Sequence, residues 1–232
     1  MTLIHEPNKP KILIWDDFRE KTFFDRRKPS DIRIQTVFGE LIDKVYFIVQ
    51  HKSLRDKSID IFRNCFGDSS KVIWEEAGAW ILKFCYYFPE FSLPVDELII
   101  SKKASIRLRL IQSIWVGIIP RNEQIKNLLL KGLVDKNNNI RYFTVERIRF
   151  TNSTDLLKEM KMQEEKEANN EIKILIRQAI DLIEKGFYIK TLPSRRVSVT
   201  IPKENGSIFS TISFYMDKKD ATEENIKKLH AK

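Results

Sequence analysis

Apolar residues recur through the middle of this chain at a spacing of 32 to 34, and that period constrains the fold more than any other feature. From Asp135 to Ile148 the sequence runs Asp-Lys-Asn-Asn-Asn-Ile-Arg-Tyr-Phe-Thr-Val-Glu-Arg-Ile. An acid, a polar turn and an Ile-Arg pair open a helix whose apolar stripe falls at Ile140, Val145 and Ile148. Thirty-four positions earlier stands Ile106-Arg107, followed by Ile111 and Ile114; 32 positions later stands Ile172-Lys173, followed by Ile176, Ala179 and Ile180. Thirty-four before Ile106 is Val72, followed by Ala77, Trp80 and Ile81, and Ile32-Arg33 with Val37 and Leu41 reads as a degenerate first copy. A fixed period of this length marks an array of helical units, because no single unit can bury its apolar face without a neighbour.

Start and stop signals place the helices. Pro29-Ser-Asp31 opens one that runs to about His51, with Ile34, Val37, Phe38, Leu41, Val45 and Ile48 on its inner face. A second runs from Ser53 to Phe66, and Gly67 stands where a helix end favours a left-handed residue. Asp68-Ser-Ser70 opens the next, which Pro89 stops, and the small pair Ala77-Gly78 predicts a close crossing with another helix. Trp74 and Trp80 on its apolar stripe read as core, not as ligand-stacking residues. Further helices are predicted from Pro94 to Ser101, Ile106 to Ile119, Asn122 to Val134 and Ile140 to Phe150, then from Ser153 with a break near Ala168-Asn-Asn170 to Gly186.

Beyond Pro193 the period becomes two. Val197, Val199 and Ile201 alternate with polar residues, as do Ile208, Ile212 and Phe214, around the turn-rich Pro202-Lys-Glu-Asn-Gly206. Val197 to Met216 therefore reads as a hairpin whose first apolar set rests on the helix ending at Gly186, with Phe209 and Tyr215 on the opposite side. The expected organisation is a lead-in or cap over 1–29, a helical array over 30–190, the hairpin over 191–216 and a charged tail over 217–232, frayed or disordered. The fold class is all-α with a C-terminal β-hairpin.

Fifteen Phe and four Trp against seven Gly and eight Pro exclude a disordered chain and favour long regular elements. The formal net charge of +9 attracts acidic partners of any kind without choosing among them. No apolar run approaches a membrane span, and the N-terminal residues lack a signal-peptide core, so the chain is expected in the cytoplasm, away from membranes. Cys65 and Cys85 lie in helical apolar patterns without metal or redox spacing and read as buried free thiols.

Chemistry-bearing motifs do not emerge. His5, His51 and His230 stand apart from Cys and carboxylates, and no phosphate-cradling Gly loop or nucleophile elbow occurs. Asp16, Asp17, Glu20 and Asp25 lie among Arg19, Lys21, Arg26 and Arg27 without ligand spacing and read as solvated surface. No catalytic residue, metal site or cofactor is assigned.

The acid at Asp135 and the Ile-Arg openings at Ile106-Arg107 and Ile140-Arg141, relaxed to Ile172-Lys173, resemble HEAT repeats over roughly residues 68 to 186. The period is shorter than the usual HEAT length, and the Val72 copy lacks the base. The resemblance implies an α-solenoid of helical hairpins, in which acid and base tie successive units together, and a binding scaffold, not an enzyme. The HEAT-like alkylpurine DNA glycosylases use a Trp with an Asp four residues on; here the positions after Trp15, Trp74, Trp80 and Trp115 are Arg19, Gly78, Phe84 and Ile119, so that activity does not carry over.

The function expected is therefore protein binding, to a partner with an acidic surface. Abundant Ile, Lys and Asn suggest an AT-rich bacterial source and, among such scaffolds, a toxin-neutralising immunity protein or an adaptor. The second expectation is nucleic-acid binding by a basic concave face made of Arg107, Lys131, Arg141, Arg147 and Arg149. Arg195 and Arg196 beside Phe209 and Tyr215 complete the candidate binding residues, a composition suited to contact with protein. Arg107 and Arg141 are also expected to reach acidic or carbonyl partners between units, Asp135 first.

Overall fold

The computed structural model of the chain describes residues 3–4, 12–13, 31–51, 58–88, 91–114, 122–151, 153–193, 195–205 and 208–229. The four lead-in acids, the Ser53 helix start, the proline stops at Pro89 and Pro120 and the Gly206 turn lie outside these. At the N-terminus two short strands, Leu3–Ile4 (β1) and Ile12–Leu13 (β2), pair antiparallel. The described chain is mainly helical and divides into two compact units, residues 1–115 with 119–124 and residues 116–118 with 125–232.

The first unit holds helices α1 (Ile32–His51), α2 (Ser58–Gly67), α3 (Lys71–Tyr87), α4 (Ser92–Ile99) and α5 (Ala104–Gln112). Asp31 opens α1 by accepting the Ile34 amide at 3.2 Å. The inner face of α1, Phe38, Leu41, Val45 and Ile48, is fully closed. Helix α3 touches each of the other four, which explains why it is apolar nearly all round: Ile73, Ala77, Ile81 and Leu82 are buried, and Trp74 and Trp80 are core residues as expected. Around it Phe62 meets Phe84 and Phe91 edge to face at 5.7 and 5.4 Å. The thiols of Cys65 and Cys85 are free, and burial pushes them up to about 11 and about 12.

Gly78 makes the close crossing that its small size predicts. A Cβ built there would stand 2.1 Å from Ser113 Oγ and 2.9 Å from Phe66, so only hydrogen lets α3 approach the end of α5. Two expectations change. Helix α5 ends at Gln112, short of Ile119, because the Ser113 hydroxyl turns back onto the Arg109 carbonyl (2.8 Å) and Ile114 bonds Ile111 in a tightened turn (3.1 Å). Gly67 is the last residue of α2 with an ordinary φ; among the described residues Gly186 alone is a glycine at positive φ (79°).

The second unit contains α6 (Glu123–Leu133, which begins at the boundary), α7 (Asn138–Thr151), α8 (Leu157–Lys166) and α9 (Asn170–Lys185). Helices α7 and α9 pack side by side, burying Ile140, Val145 and Ile148 against Ile172, Ile176 and Ala179. The break between α8 and α9 falls where the period places it, and Gly186 closes α9 with its amide on Leu182 O at 3.1 Å. After it come three strands in the order β3 (Tyr188–Thr191), β4 (Arg196–Asn205) and β5 (Ile208–Asp217), all antiparallel. The predicted hairpin thus gains a third strand. The tail, too, is more ordered than its charge suggests: Glu223–Leu229 forms a helix, α10, with Ile226 buried.

That helix corrects the expected packing of the hairpin. Val197, Val199 and Ile201 form a cluster with Ile226, flanked by Phe187, Phe214, Met216, Ala221 and Leu229, and not with the apolar face of α9. The register sets Val199 opposite Phe214 and Ile201 opposite Ile212, so Val197, Val199 and Ile201 share one face with Ile212 and Phe214 as alternation requires. Ser198 and Thr200 lie on the other face, also buried; α9 touches β3 and β4 while α7 touches β5.

Candidate functional site

The periodic Ile-Arg feature resolves into one local geometry built four times. In each copy a side-chain oxygen accepts the amide two residues on: Asp68 from Ser70 (2.7 Å), Ser101 from Lys103 (3.3 Å), Asp135 from Asn137 (2.8 Å) and Glu167 from Asn169 (3.0 Å). The carbonyl of that second residue then accepts the first amide of the helix ladder, from Trp74, Arg107, Arg141 and Lys173 respectively. Each acceptor thus holds the chain in the extended turn that precedes a helix start. Ile73, Ile106, Ile140 and Ile172 are the third residues of α3, α5, α7 and α9. All but Ile106, which is half-buried, are buried. Val72 was one residue out of register.

The arginines serve these joints. Arg141 donates Nε and Nη2 to the two oxygens of Glu167 (2.8 and 2.7 Å), Nη1 to the Asp135 carbonyl (2.8 Å) and Nη2 to Asn138 (2.8 Å). The Glu167 side chain is 1% exposed, and the Arg141 fork, with the Asn169 amide and Gln163, holds its carboxyl down at about 2. Arg33 grips Asp68 in the same two-pronged way (2.8 and 3.3 Å), and Arg109 adds bonds to the Phe66 carbonyl in the last turn of α2 and to the Asp68 carbonyl just past it. Arg107 is 5% exposed and donates Nη1 to Ser101 O at 2.6 Å, the counterpart of the Arg141–Asp135 bond.

Of the remaining groove candidates, Arg149 is paired with Glu146 (3.0 Å) and stacked on Phe150 (4.8 Å). Arg147 is half-buried and Lys131 exposed. All four of Lys131, Arg141, Arg147 and Arg149 belong to the second unit, whereas Arg107 belongs to the first.

The C-terminal sheet carries the other candidates. Arg195 and Arg196 are exposed, and Arg196 lies opposite Asp217 across the β4–β5 ladder. Tyr215 is 64% exposed and shares a cross-strand row with Ser198 and the exposed Lys190. In the backbone register Phe209 pairs with Glu204. Ile189 and Ile212, also exposed, lie on the opposite face of the sheet, the one that α10 covers. The result is a basic surface with an exposed aromatic ring on a paired sheet, able to make charged and stacking contacts.

Two features escaped sequence reasoning. Glu167 was hidden in a segment without apolar residues, although it stands five before Ile172 as Asp135 stands five before Ile140. Lys83 is buried on α3 with its ammonium 4.5 Å from the Trp80 ring, whose indole N–H donates to Glu76 at 2.9 Å. Burial pushes the Lys83 amine down to about 8. Among the described residues no three His, Cys, Asp or Glu side chains converge on a metal-sized site, and no helix is long and apolar enough to cross a membrane. Comparison with family models, with curated proteins and with solved structures finds no match for this chain.

Proposed function

We propose that this chain is a non-enzymatic, cytoplasmic protein-binding scaffold of HEAT-like units, which holds an acidic partner through the exposed Arg195, Arg196 and Tyr215 of its C-terminal sheet. The observation that carries this reading is the contrast between the two sets of basic residues. Arg107, Arg141 and Arg149 spend hydrogen bonds on carbonyls or carboxylates of their own unit, whereas Arg195 and Arg196 stand exposed at the start of β4, whose ladder partner β5 carries the exposed Tyr215. Such mixtures favour protein partners. The fourfold joint supports the HEAT-like assignment, since acid and base link consecutive copies at Arg33–Asp68 and Arg141–Glu167. A toxin-neutralising or adaptor role is the narrower form of the same proposal.

Nucleic-acid binding is the competing reading, and the charge of +9 favours it. It requires free guanidinium groups on the helical face, and two of its five residues there, Arg141 and Arg149, are already neutralised by carboxylates. Affinity purification from the native host, with and without nuclease, separates the two. The expected result is a protein partner that survives nuclease and is lost with Arg195→Glu/Arg196→Glu. Release of the partner by nuclease, or undiminished capture by the double variant, would overturn the proposal.

A further inference from the structure

Strand β5 is a sheet edge of ten residues. It pairs with β4 on one side, and among the described residues no backbone hydrogen bond joins it to any other element. Proteins blunt such edges with short strands, charges or proline. This sheet does so elsewhere. Strand β3 is four residues long, contains Lys190 and runs into Pro193; β4, where it outruns β3 beyond Thr200, carries Pro202, Lys203 and Glu204. From Ile208 to Met216, β5 has no charge and no proline.

The same nine residues are nearly palindromic in chemistry about Ile212. Outward from that centre stand Thr211 and Ser213, both hydroxylic; Phe209 and Tyr215, both aromatic; and Ile208 and Met216, both aliphatic. Only Ser210 and Phe214 break the symmetry. We propose that β5 is a self-complementary edge at which two copies of this chain pair antiparallel about Ile212, joining their three-stranded sheets into one of six. A twofold axis perpendicular to the sheet keeps each face on its own side, so Ile212, Phe214 and Met216 of both copies remain on the α10 side. Across the seam Ile212 meets its own copy and Thr211 meets Ser213, and the register pairs position 209 with position 215. Like-with-like aromatic and hydroxylic pairs are the stabilising cross-strand combinations. A foreign strand would be specified by charges or pockets, and the first nine residues of β5 offer no charge to specify one.

The repulsion of two copies carrying +9 each opposes pairing, and salt screens it. Association should therefore tighten as salt rises, the opposite of nucleic-acid binding. The inference shares Tyr215 with the partner reading above, whereas Arg195 and Arg196 lie outside the pairing, so the Arg195→Glu/Arg196→Glu variant tests the partner reading and the Ile212 variants test the dimer.

Sedimentation of the full chain over a concentration series tests it. The expected result is a reversible dimer. Ile212→Lys, which sets two ammonium groups face to face, weakens it by about tenfold or more, and mixing Ile212→Lys with Ile212→Glu restores it. Circular dichroism confirms that each variant is folded. Oxidised Ile212→Cys, whose thiols meet on the axis, crosslinks between copies, whereas the exposed helical control Ile174→Cys does not. A wild-type chain that stays monomeric to its solubility limit overturns the proposal and leaves the edge to a foreign strand. A dimer that survives Ile212→Lys overturns it as well.

Discussion

Arg141 and Glu167 form the best-defined ion pair of the second unit, and its energetics follow from burial. Both Glu167 oxygens are engaged by Arg141, so removing one partner strands a charge that water cannot reach. Arg141→Ala should therefore cost on the order of 3 to 5 kcal/mol, measured by urea denaturation. The pH dependence has a definite sign. The Glu167 carboxyl is held below its ordinary 4.5, at about 2, so its contribution is full above pH 4.5 and is lost as pH falls toward 2. That loss is on the order of 2 to 3 kcal/mol. Lys83 acts at the other end: its folded value of about 8 lies below its ordinary 10.5, so the folded state releases its proton first. Stability from that residue should rise between pH 8 and 10.5. A denaturation series across pH, compared with Glu167→Gln and Lys83→Met, checks both slopes.

At the scale of elements, the period located the helices because burial, not propensity, sets where apolar residues fall. Ile140 and Ile172 are buried at the third position of α7 and α9, as the spacing predicts. What the apolar pattern missed was the polar half of the repeat. The acceptor five residues before Ile73, Ile106, Ile140 and Ile172 is Asp, Ser, Asp and Glu in turn, and a hydrogen-bonding role shared by chemically different residues leaves no apolar trace. Gly78 was legible for the opposite reason, since a glycine amid aromatics has few other uses. Gly78→Ala should destabilise the first unit by about 1 to 3 kcal/mol through overpacking against Ser113. Ser113→Gly introduced with it should recover part of that loss, a coupling readable from melting curves.

Across the whole molecule, the alternation after Pro193 gave two strands and their facing but not what covers them. β3 is too short to show a period, and α10 looks like solvated tail because five of its seven residues are polar or charged, the exceptions being Ile226 and Leu229 at their helical spacing of three. For the candidate site, the sequence identified the basic and aromatic residue types. It also expected Arg107 and Arg141 to reach partners between units, but it did not find the carboxylate that Arg141 takes, because Glu167 lies far from it in sequence and carries no apolar signal. Ile226→Asp should uncover Val197, Val199 and Ile201 together. The expected outcome is loss of the sheet's protection in hydrogen exchange while α7 and α9 remain protected.

The four helix-opening joints are alike in plan but unequal in strength. The one at Ser101 has an uncharged acceptor, the longest turn bond of the set (3.3 Å), the longest first ladder bond (3.4 Å) and an Ile only half-buried behind it. The chain therefore contains a mechanical fuse. Under tension, the first rupture among the four should occur between α4 and α5, with Asp68, Asp135 and Glu167 still holding.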